Sequence, residues 1–297
     1  MTPGLRLYTG GGTHAGLQRR SNDDCFAAVP ELGLLLVADG VGGRPAGDVA
    51  AKLAVDTVRD AVANPETTWP DEGAADPEEV CRRLRDAIAL ANRRVREQGE
   101  QHALLTGMAT TLVAAMVTAG RLWIAHAGDS RAYLLRASQI RRLTVDHSIA
   151  EDASLRARFK PEVLARLPQA DLTRGVGLSD SISADVDVHE LRGGDVVVLA
   201  TDGLTDVMEE AEIASVLDEY HHLEVAASVL IDRANARGGP DNITVVLGRW
   251  ACELVLHLFA KTADVEDMEE ADEDDAWESG GGGDLRGARD PRGRGRM

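Results

Sequence analysis

The chain has 297 residues, 44% of them hydrophobic, which is enough to bury a core in one large domain or two small ones. Its formal net charge of −18 at pH 7 argues against direct binding to nucleic acid or to an anionic membrane. Three isolated cysteines predict a reducing, cytoplasmic compartment. No apolar run reaches the roughly 18 residues that a membrane-spanning helix needs.

The first half of the chain alternates apolar strand patterns with two amphipathic helix patterns. Strands are predicted at residues 5–11, 24–29 and 32–38. Helices are predicted from about Pro45 to Val62 and from about Pro77 to Glu97, because apolar residues there recur every three or four positions.

The second half is predicted to contain more strands and a second pair of helices. Three strands joined by tight turns predict an antiparallel meander at residues 109–117, 121–128 and 130–136. Residues 148–180 are polar and partly helical, with no strong strand. Later strands are predicted at residues 184–191, 195–201 and 242–250, and helices at residues 209–218 and 222–237. Residues 252–259 are expected to extend the sheet or to pack on it.

Blocks of strands and pairs of helices alternate without the regularity of βαβ units. This order predicts an α+β fold, a central antiparallel β-sandwich flanked by helix pairs. The folded domain is expected to cover residues 1–260. Residues 261–297 are acidic and then rich in Arg and Gly, a composition that predicts a disordered tail.

Four aspartates, Asp39, Asp129, Asp202 and Asp241, each stand at one end of an apolar run. Asp is a poor strand residue, and a buried charge is costly unless it is paired or binds a metal. Two like charges about 4 Å apart repel by roughly 4 kcal/mol at an effective dielectric constant of about 20. A cluster of these side chains would therefore need cations, and ligands that offer only oxygen favour Mg²⁺ or Mn²⁺. The pattern predicts a metal-dependent hydrolase.

A polar loop adds a phosphate-binding feature to this cluster. In the segment GLQRRSNDD, Arg19 precedes Asp23 and Asp24 by a few residues. An arginine offers a planar fork of donors that fits a pair of phosphate oxygens, and Arg20 is an alternative for this role. A water between two metal ions has a lowered pKa and becomes a nucleophile near neutral pH. The combination favours hydrolysis of phosphate esters.

Nine segments together carry a resemblance to a known family. They are GLQRRSNDD (16–24), VADGVGG (37–43), AGD (46–48), GMATTLVAAMV (107–117), AHAGDSRAYLL (125–135), LTVDHS (143–148), LTRGVG (172–177), LATDGLTD (199–206) and GGPDNITVV (238–246). In order and spacing the chain resembles the PPM family, the metal-dependent type 2C Ser/Thr protein phosphatases, in its short bacterial form. The resemblance implies an α-β-β-α sandwich with metals at one end.

The resemblance also implies how metal ligands are shared between two core ions, Mn²⁺ or Mg²⁺. Asp39 would bridge the two ions, and the backbone carbonyl of Gly40 would bind one of them. Asp202 and Asp241 would complete the first ion. The pair Asp23-Asp24 would act at the second ion, one or both through water.

Further roles follow from the same resemblance. Asp129 would help Asp202 to hold a weaker third ion, and Arg19 would bind the phosphoryl group. Gly42 and Gly43 would permit a turn close to the metals. Arg19, Asp39 and Asp202 are thus the expected catalytic residues.

The function implied is a phosphoprotein phosphatase that hydrolyses phosphoserine and phosphothreonine by direct attack of a metal-activated water, opposing Ser/Thr kinase signalling. Its partners would be phosphorylated Ser/Thr proteins and a cognate Ser/Thr kinase, with no nucleic acid and no membrane, and we expect a monomer. Two alternatives stay open: a catalytically impaired phospho-binding or scaffold protein, and a narrower regulator that acts on phosphoserine in an anti-sigma antagonist or a secretion-system component.

Three features depart from the family pattern. Asp23-Asp24 stands where the family usually has Glu-Asp, and a shorter side chain needs an extra water to reach a metal. No histidine matches the general acid proposed for many eukaryotic members; His126 and His147 are expected to be structural. The segment 149–171, which corresponds to a flap beside the site, resembles the family less closely.

Overall fold

The structure is a computed structural model that describes residues 5–41, 44, 46–64, 69, 76–118 and 120–252. Within these residues, ten strands form two five-stranded antiparallel sheets. One sheet has the order β2 (Asp24–Val29), β3 (Leu34–Asp39), β4 (Leu112–Thr118), β5 (Arg121–Ala127) and β8 (Asp185–Glu190). The other has the order β1 (Leu5–His14), β10 (Ile243–Cys252), β9 (Val196–Ala200), β6 (Arg131–Arg136) and β7 (Gln139–Arg142).

The described residues contain seven α-helices, two pairs of which cover the outer faces of the two sheets. They are α1 (Gly47–Ala63), α2 (Pro77–Gln101), α3 (Ala153–Arg158), α4 (Pro161–Leu164), α5 (Asp202–Thr205), α6 (Glu210–Glu219) and α7 (Leu223–Ala236). Helices α1 and α2 share a core with the first sheet, and α6 and α7 share one with the second. Local sequence sets the helix starts: the Asp76 side chain accepts a hydrogen bond from the Glu78 N–H, with Pro77 in the first turn.

The period-two geometry of a strand explains the layers. In β3, Leu34 and Leu36 pack towards α1 and α2, whereas Leu35 and Val37 pack between the two sheets. Both faces of the strand are therefore buried, which is why its sequence is continuously apolar. The predicted α+β sandwich flanked by helix pairs is confirmed. Among the described residues, no helix is both long and apolar enough to cross a bilayer.

The predicted three-stranded meander is wrong. Strands β4 and β5 pair, with Leu112 opposite Ala127, but β6 joins the other sheet, with Arg131 opposite Ala200. The chain changes sheets at Gly128, whose φ of 122° is accessible to glycine and strained for other residues. An apolar run buried on both faces does not specify which sheet it joins, so spacing alone cannot make that assignment.

Two short elements, β7 and α5, were not predicted, because four residues carry too little periodicity for a pattern. Three predictions lie outside the described residues: the glycine turn at residues 42–43, the segment 253–259 and the tail at residues 261–297. They stay predictions.

Candidate active site

Strand ends gather the expected site residues at one end of the sandwich. Asp39 ends β3 and lies opposite Asp24, the first residue of β2. Asp202 follows the end of β9, and Asp241 precedes the start of β10, where Val245 pairs with Ala200. Because the start of one antiparallel strand lies beside the end of its neighbour, the carboxylates meet in space although they are far apart in sequence.

A cavity of about 420 Å³ opens at this end. The expected site residues that line it are Arg19, Asp23, Asp39, Gly40, Asp129, Asp202 and Asp241. Arg20 also lines the cavity, as do Asp171, the last residue of the flap segment, and Leu172, which follows it. Of the residues expected here, Asp24 is not part of the lining.

The backbone of Asp39 is held by two threonines at the start of β4. Its N–H donates to Thr111 Oγ1 at 2.9 Å, and its carbonyl accepts from the Thr110 hydroxyl at 2.7 Å and from the Thr111 N–H at 2.8 Å. These bonds fix the strand end without using the carboxylate. Next to it, a Cβ on Gly40 would lie 2.5 Å from the carbonyl carbon of Gly47, so α1 packs directly on this backbone.

Asp24 has one bound carboxylate oxygen and one without a partner. Its Oδ2 accepts from the hydroxyls of Thr201 at 3.0 Å and Thr244 at 2.6 Å. Its Oδ1 is buried and has no hydrogen-bond partner among the described residues. Burial raises the pKa of Asp24 to about 7, although the two threonine hydroxyls lower it.

The loop that carries Arg19 is fixed by Asn242, a residue to which sequence analysis gave no role. The Asn242 side chain accepts from the Asp23 N–H at 2.8 Å and donates to the carbonyls of Ala15 at 2.9 Å and Ser21 at 2.8 Å. Arg19 Nη2 donates to Asp241 Oδ2 at 2.6 Å. An asparagine is suited to this position because its amide donates and accepts at once.

The carboxylates repel one another inside the cavity. The pKa of Asp39 is raised well above its usual value by burial first and then by Asp24, Asp202 and Asp129. Burial and the charge of Asp202 raise the pKa of Asp129 to about 7. The pKa of Asp202 is raised to about 6 by burial and by Asp241. The ionised cluster is thus unfavourable on its own and would be stabilised by cations.

The donor set fits a divalent metal. Asp202 Oδ1, like Asp24 Oδ1, is buried without a hydrogen-bond partner among the described residues. An orphaned buried carboxylate oxygen is costly, and a metal ion would satisfy it. All the acidic side chains offer hard oxygen ligands, as Mg²⁺ and Mn²⁺ prefer, and none of the described lining residues offers sulfur or imidazole.

The two histidines have structural hydrogen bonds, as expected. His126 Nε2 contacts the Val145 carbonyl at 2.9 Å, and His147 Nε2 contacts Asp185 Oδ2 at 3.1 Å. Their rings stack with centroids 4.4 Å apart, and neither residue lines the cavity. Burial lowers the pKa of both, that of His147 to about 4, so both rings are neutral near pH 7.

Five uncharged residues that sequence analysis did not select hold the expected site residues in place. They are Thr110, Thr111, Thr201, Asn242 and Thr244. Thr110 and Thr111 directly precede β4, and Asn242 and Thr244 lie on either side of Ile243, the first residue of β10. Polar residues at strand entrances beside a candidate ligand are the signal that could have identified them.

Comparison with known proteins gives a family match. Residues 11–231 match the family model described as protein phosphatase 2C. The serine/threonine phosphatase Stp of Listeria welshimeri is 35% identical over 240 residues, which are 79% of this chain and 92% of that protein.

Two solved structures are similar over most of their length. One is the serine/threonine phosphatase Stp1 from Staphylococcus aureus, with 29% identity and a TM-score of 0.71 over 84% of this chain and 97% of that chain. The other is the catalytic domain of the serine/threonine protein phosphatase PstP in complex with two manganese ions, with 31% identity and a TM-score of 0.68 over 83% of this chain and 99% of that chain.

Proposed function

This chain belongs to the protein phosphatase 2C family and is a protein serine/threonine phosphatase, and we propose that it hydrolyses phosphoserine and phosphothreonine by direct attack of water, without a covalent intermediate. The observation that carries the proposal is one cavity in which Arg19 faces a cluster of carboxylates with raised pKa values. A phosphoryl group needs a cationic fork, and its hydrolysis needs a positioned water.

Two core divalent ions, Mn²⁺ or Mg²⁺, would be held by the residues that the cavity brings together. Asp39 would bind both ions. Asp202 and Asp241 would bind the first ion, and Asp23 and the Gly40 carbonyl would bind the second. When bound, such ions lower the pKa of a water so that it attacks near neutral pH. The presence of two manganese ions in the PstP complex supports this assignment.

Asp24 and Asp129 have separate roles in this proposal. Asp24 has a free oxygen but is anchored by two hydroxyls, so it would act behind the core ligands, through water or by orienting them. Asp129 stands on a turn at the cavity wall, where it would hold a weaker third ion with Asp202.

Arg19 would bind and orient the phosphoryl group. Its pKa is raised by the hydrogen bond to Asp241, so it is cationic at any working pH. Its side chain is 48% exposed, and its hydrogen bond to Asp241 is made by Nη2, which leaves other donors of the guanidinium for phosphate oxygens. The substrate would thus bind to an arginine whose side chain is already oriented by its hydrogen bond to Asp241.

The opposing Ser/Thr kinase and its phosphorylated substrates remain the expected partners, and a monomer remains the expected state. The scaffold alternative is not favoured, because the arginine and all the expected carboxylates except Asp24 line the cavity.

The proposal is tested by turnover of p-nitrophenyl phosphate and of a phosphothreonine peptide with Mn²⁺, with Mg²⁺ and with EDTA. We expect turnover with one or both metals and none with EDTA, restored when metal is returned. No turnover of either substrate with any divalent metal would favour the scaffold alternative.

Arg19→Lys is expected to raise KM for the phosphothreonine peptide at least about tenfold, since a lysine keeps the charge but loses the planar fork, and a charged hydrogen bond contributes roughly 1.5–3 kcal/mol. Initial rates over a range of peptide concentrations at saturating Mn²⁺ provide the measurement. Arg20→Lys decides between the two neighbouring arginines: a larger KM effect there than at Arg19 would transfer the phosphate-binding role to Arg20.

A further inference from the structure

His147 binds both backbone groups of Gly128, the residue before Asp129. The Gly128 N–H donates to His147 Nδ1 at 3.2 Å, and the His147 N–H donates to the Gly128 carbonyl at 3.0 Å. One residue therefore fixes the peptide groups on both sides of the Gly128 Cα. His147 is 2% exposed, so these bonds are shielded from water.

The Gly128 turn has little freedom to adopt another shape. Its φ is 122°, and a Cβ at this position would lie 2.5 Å from the Thr111 Cβ. Thr111 is the same residue that accepts from the Asp39 N–H. The turn that carries Asp129 is thus packed against Thr111 on one side and held by His147 on the other.

The far side of His147 contacts the segment that leaves the flap. His147 Nε2 lies 3.1 Å from Asp185 Oδ2, and Arg174 donates to the two oxygens of Asp185 at 2.6 and 3.2 Å. The His147 carbonyl accepts from the Thr173 N–H at 2.7 Å. Leu172, the residue before Thr173, lines the cavity.

These partners fix the tautomer of the ring. Because the Gly128 N–H donates to Nδ1, that nitrogen has no proton, and Nε2–H donates to the Asp185 carboxylate. Both ring nitrogens of His147 and both oxygens of Asp185 are engaged, so the cluster of His126, His147 and Asp185 is better explained as a hydrogen-bonded network than as a second metal site.

The backbone of His147 is anchored as well. The preceding residue, Asp146, is 6% exposed and accepts from Arg131 Nε at 3.2 and 3.1 Å and from Arg131 Nη2 at 2.8 Å. Arg142 also pairs with Asp146. The ring of His147 is therefore held from its main chain, from its stacked neighbour His126 and from both of its nitrogens.

We propose that His147 is a positioning residue for the phosphatase reaction: its ring fixes the Gly128–Asp129 turn through Nδ1, and its backbone carbonyl, which accepts from the Thr173 N–H, ties that turn to the flap exit at residues 172–174. Asp129 would then bind its ion in one fixed orientation, and the flap exit would keep a fixed position relative to Asp129. The inference rests on the proposed function, because it concerns a residue that acts through Asp129.

Two substitutions separate the contacts of the two ring nitrogens. His147→Asn places an amide oxygen near the position of Nδ1 and can still accept from Gly128, but it no longer reaches Asp185. His147→Gln extends towards the position of Nε2 and can still donate to Asp185, but it loses the acceptor for Gly128. Both variants lose the ring stack with His126, so both are expected to be destabilised to a similar extent.

We expect His147→Gln to lower kcat by about 10–100-fold and to weaken the weakest Mn²⁺ binding step by a similar factor, the range usual for residues that orient a metal ligand. His147→Asn is expected to restore both quantities to within about threefold of the wild type. Steady-state rates measure kcat and KM, isothermal titration with Mn²⁺ measures binding without turnover, and thermal unfolding measures stability.

Equal losses of kcat in the two variants, in proportion to their loss of stability, would overturn the inference and leave His147 a structural residue. Unchanged Mn²⁺ binding and kcat in a folded His147→Gln protein would also overturn it. A wild-type protein with no turnover in any metal is a different result, since it would reject the proposed function itself.

Discussion

Asp202→Asn is expected to lower turnover at saturating Mn²⁺ by more than the roughly 100-fold that loss of an outer-shell partner costs, and at the same time to stabilise the metal-free protein. Asparagine has nearly the same shape as aspartate but no charge, so it keeps the packing of the cavity. It would remove one ligand from the proposed first ion. The carboxylate would bind the ion that turnover needs, but its charge destabilises the metal-free protein. Its removal is therefore expected to lower turnover and to raise stability.

The gain in stability follows from the raised pKa of Asp202. Its value of about 6 lies above the ordinary 3.8 because burial and Asp241 disfavour the charged form. An acid whose pKa is raised on folding destabilises the native state as the pH rises above its unfolded pKa, and it does so in full above its folded pKa. A shift of this size corresponds to about 3 kcal/mol at pH 8, and the unpaired amide of asparagine would offset part of it, so we expect a net gain of about 1–2 kcal/mol.

Urea unfolding of the metal-free wild type and variant at about pH 8, together with rates on p-nitrophenyl phosphate, measures both effects. Asp232→Asn is the matched control. Asp232 is exposed on α7, so this substitution makes the same chemical change away from the cavity. It should alter neither quantity. Loss of activity with loss of stability in Asp202→Asn would mean that the carboxylate supports the fold instead of opposing it.

The location of the site could be predicted because of how antiparallel sheets are built. Asp39, Asp202 and Asp241 each interrupt an apolar pattern at a strand end, and strand ends of neighbouring strands lie together. The predicted meeting of these aspartates at one end of the sandwich did not depend on which sheet each strand joined. For that reason the incorrect meander, which placed β6 in the wrong sheet, left the expected position of Asp129 at the same end of the sandwich unaffected.

The contacts that hold these carboxylates could not be predicted in the same way. Asp24 is bound by Thr201 and Thr244, which are 177 and 220 positions away in sequence. Thr and Asn are ordinary residues at strand ends and turns, so their type gives no indication of a distant partner. Strands β9 and β10 belong to one sheet and β2 to the other, so only the packing of the two sheets on each other brings these side chains together.

The second prediction with a large expected effect concerns pH and metal: Mn²⁺ should raise the melting temperature of the wild type far more at about pH 7.5 than at about pH 5.5. The raised pKa values of Asp24, Asp129 and Asp202, about 7, 7 and 6, mean that protons occupy the cluster at the lower pH. A metal must displace those protons, so its affinity increases as the pH rises.

The sign for the metal-free protein follows from the same values. Between about pH 4 and pH 7 the folded state holds more protons on these aspartates than the unfolded state, so their contribution to stability falls as the pH rises. His147 acts in the opposite direction, since its pKa is lowered to about 4 and the unfolded state takes up its proton below about pH 6.5. Above about pH 6.5 His147 has no further effect on this balance, whereas Asp24 and Asp129 continue to lose protons.

The comparison with and without Mn²⁺ isolates the cluster, because the histidine contribution is present in both. One displaced proton makes binding tenfold tighter per pH unit, which adds about 1.4 kcal/mol per unit at a fixed excess of metal. Titration calorimetry in buffers of different ionisation enthalpy counts the released protons directly. A metal-induced increase in melting temperature that is the same at both pH values would show that the ions do not bind to this cluster, because Asp39, Asp129 and Asp202 all line the cavity and all have raised pKa values.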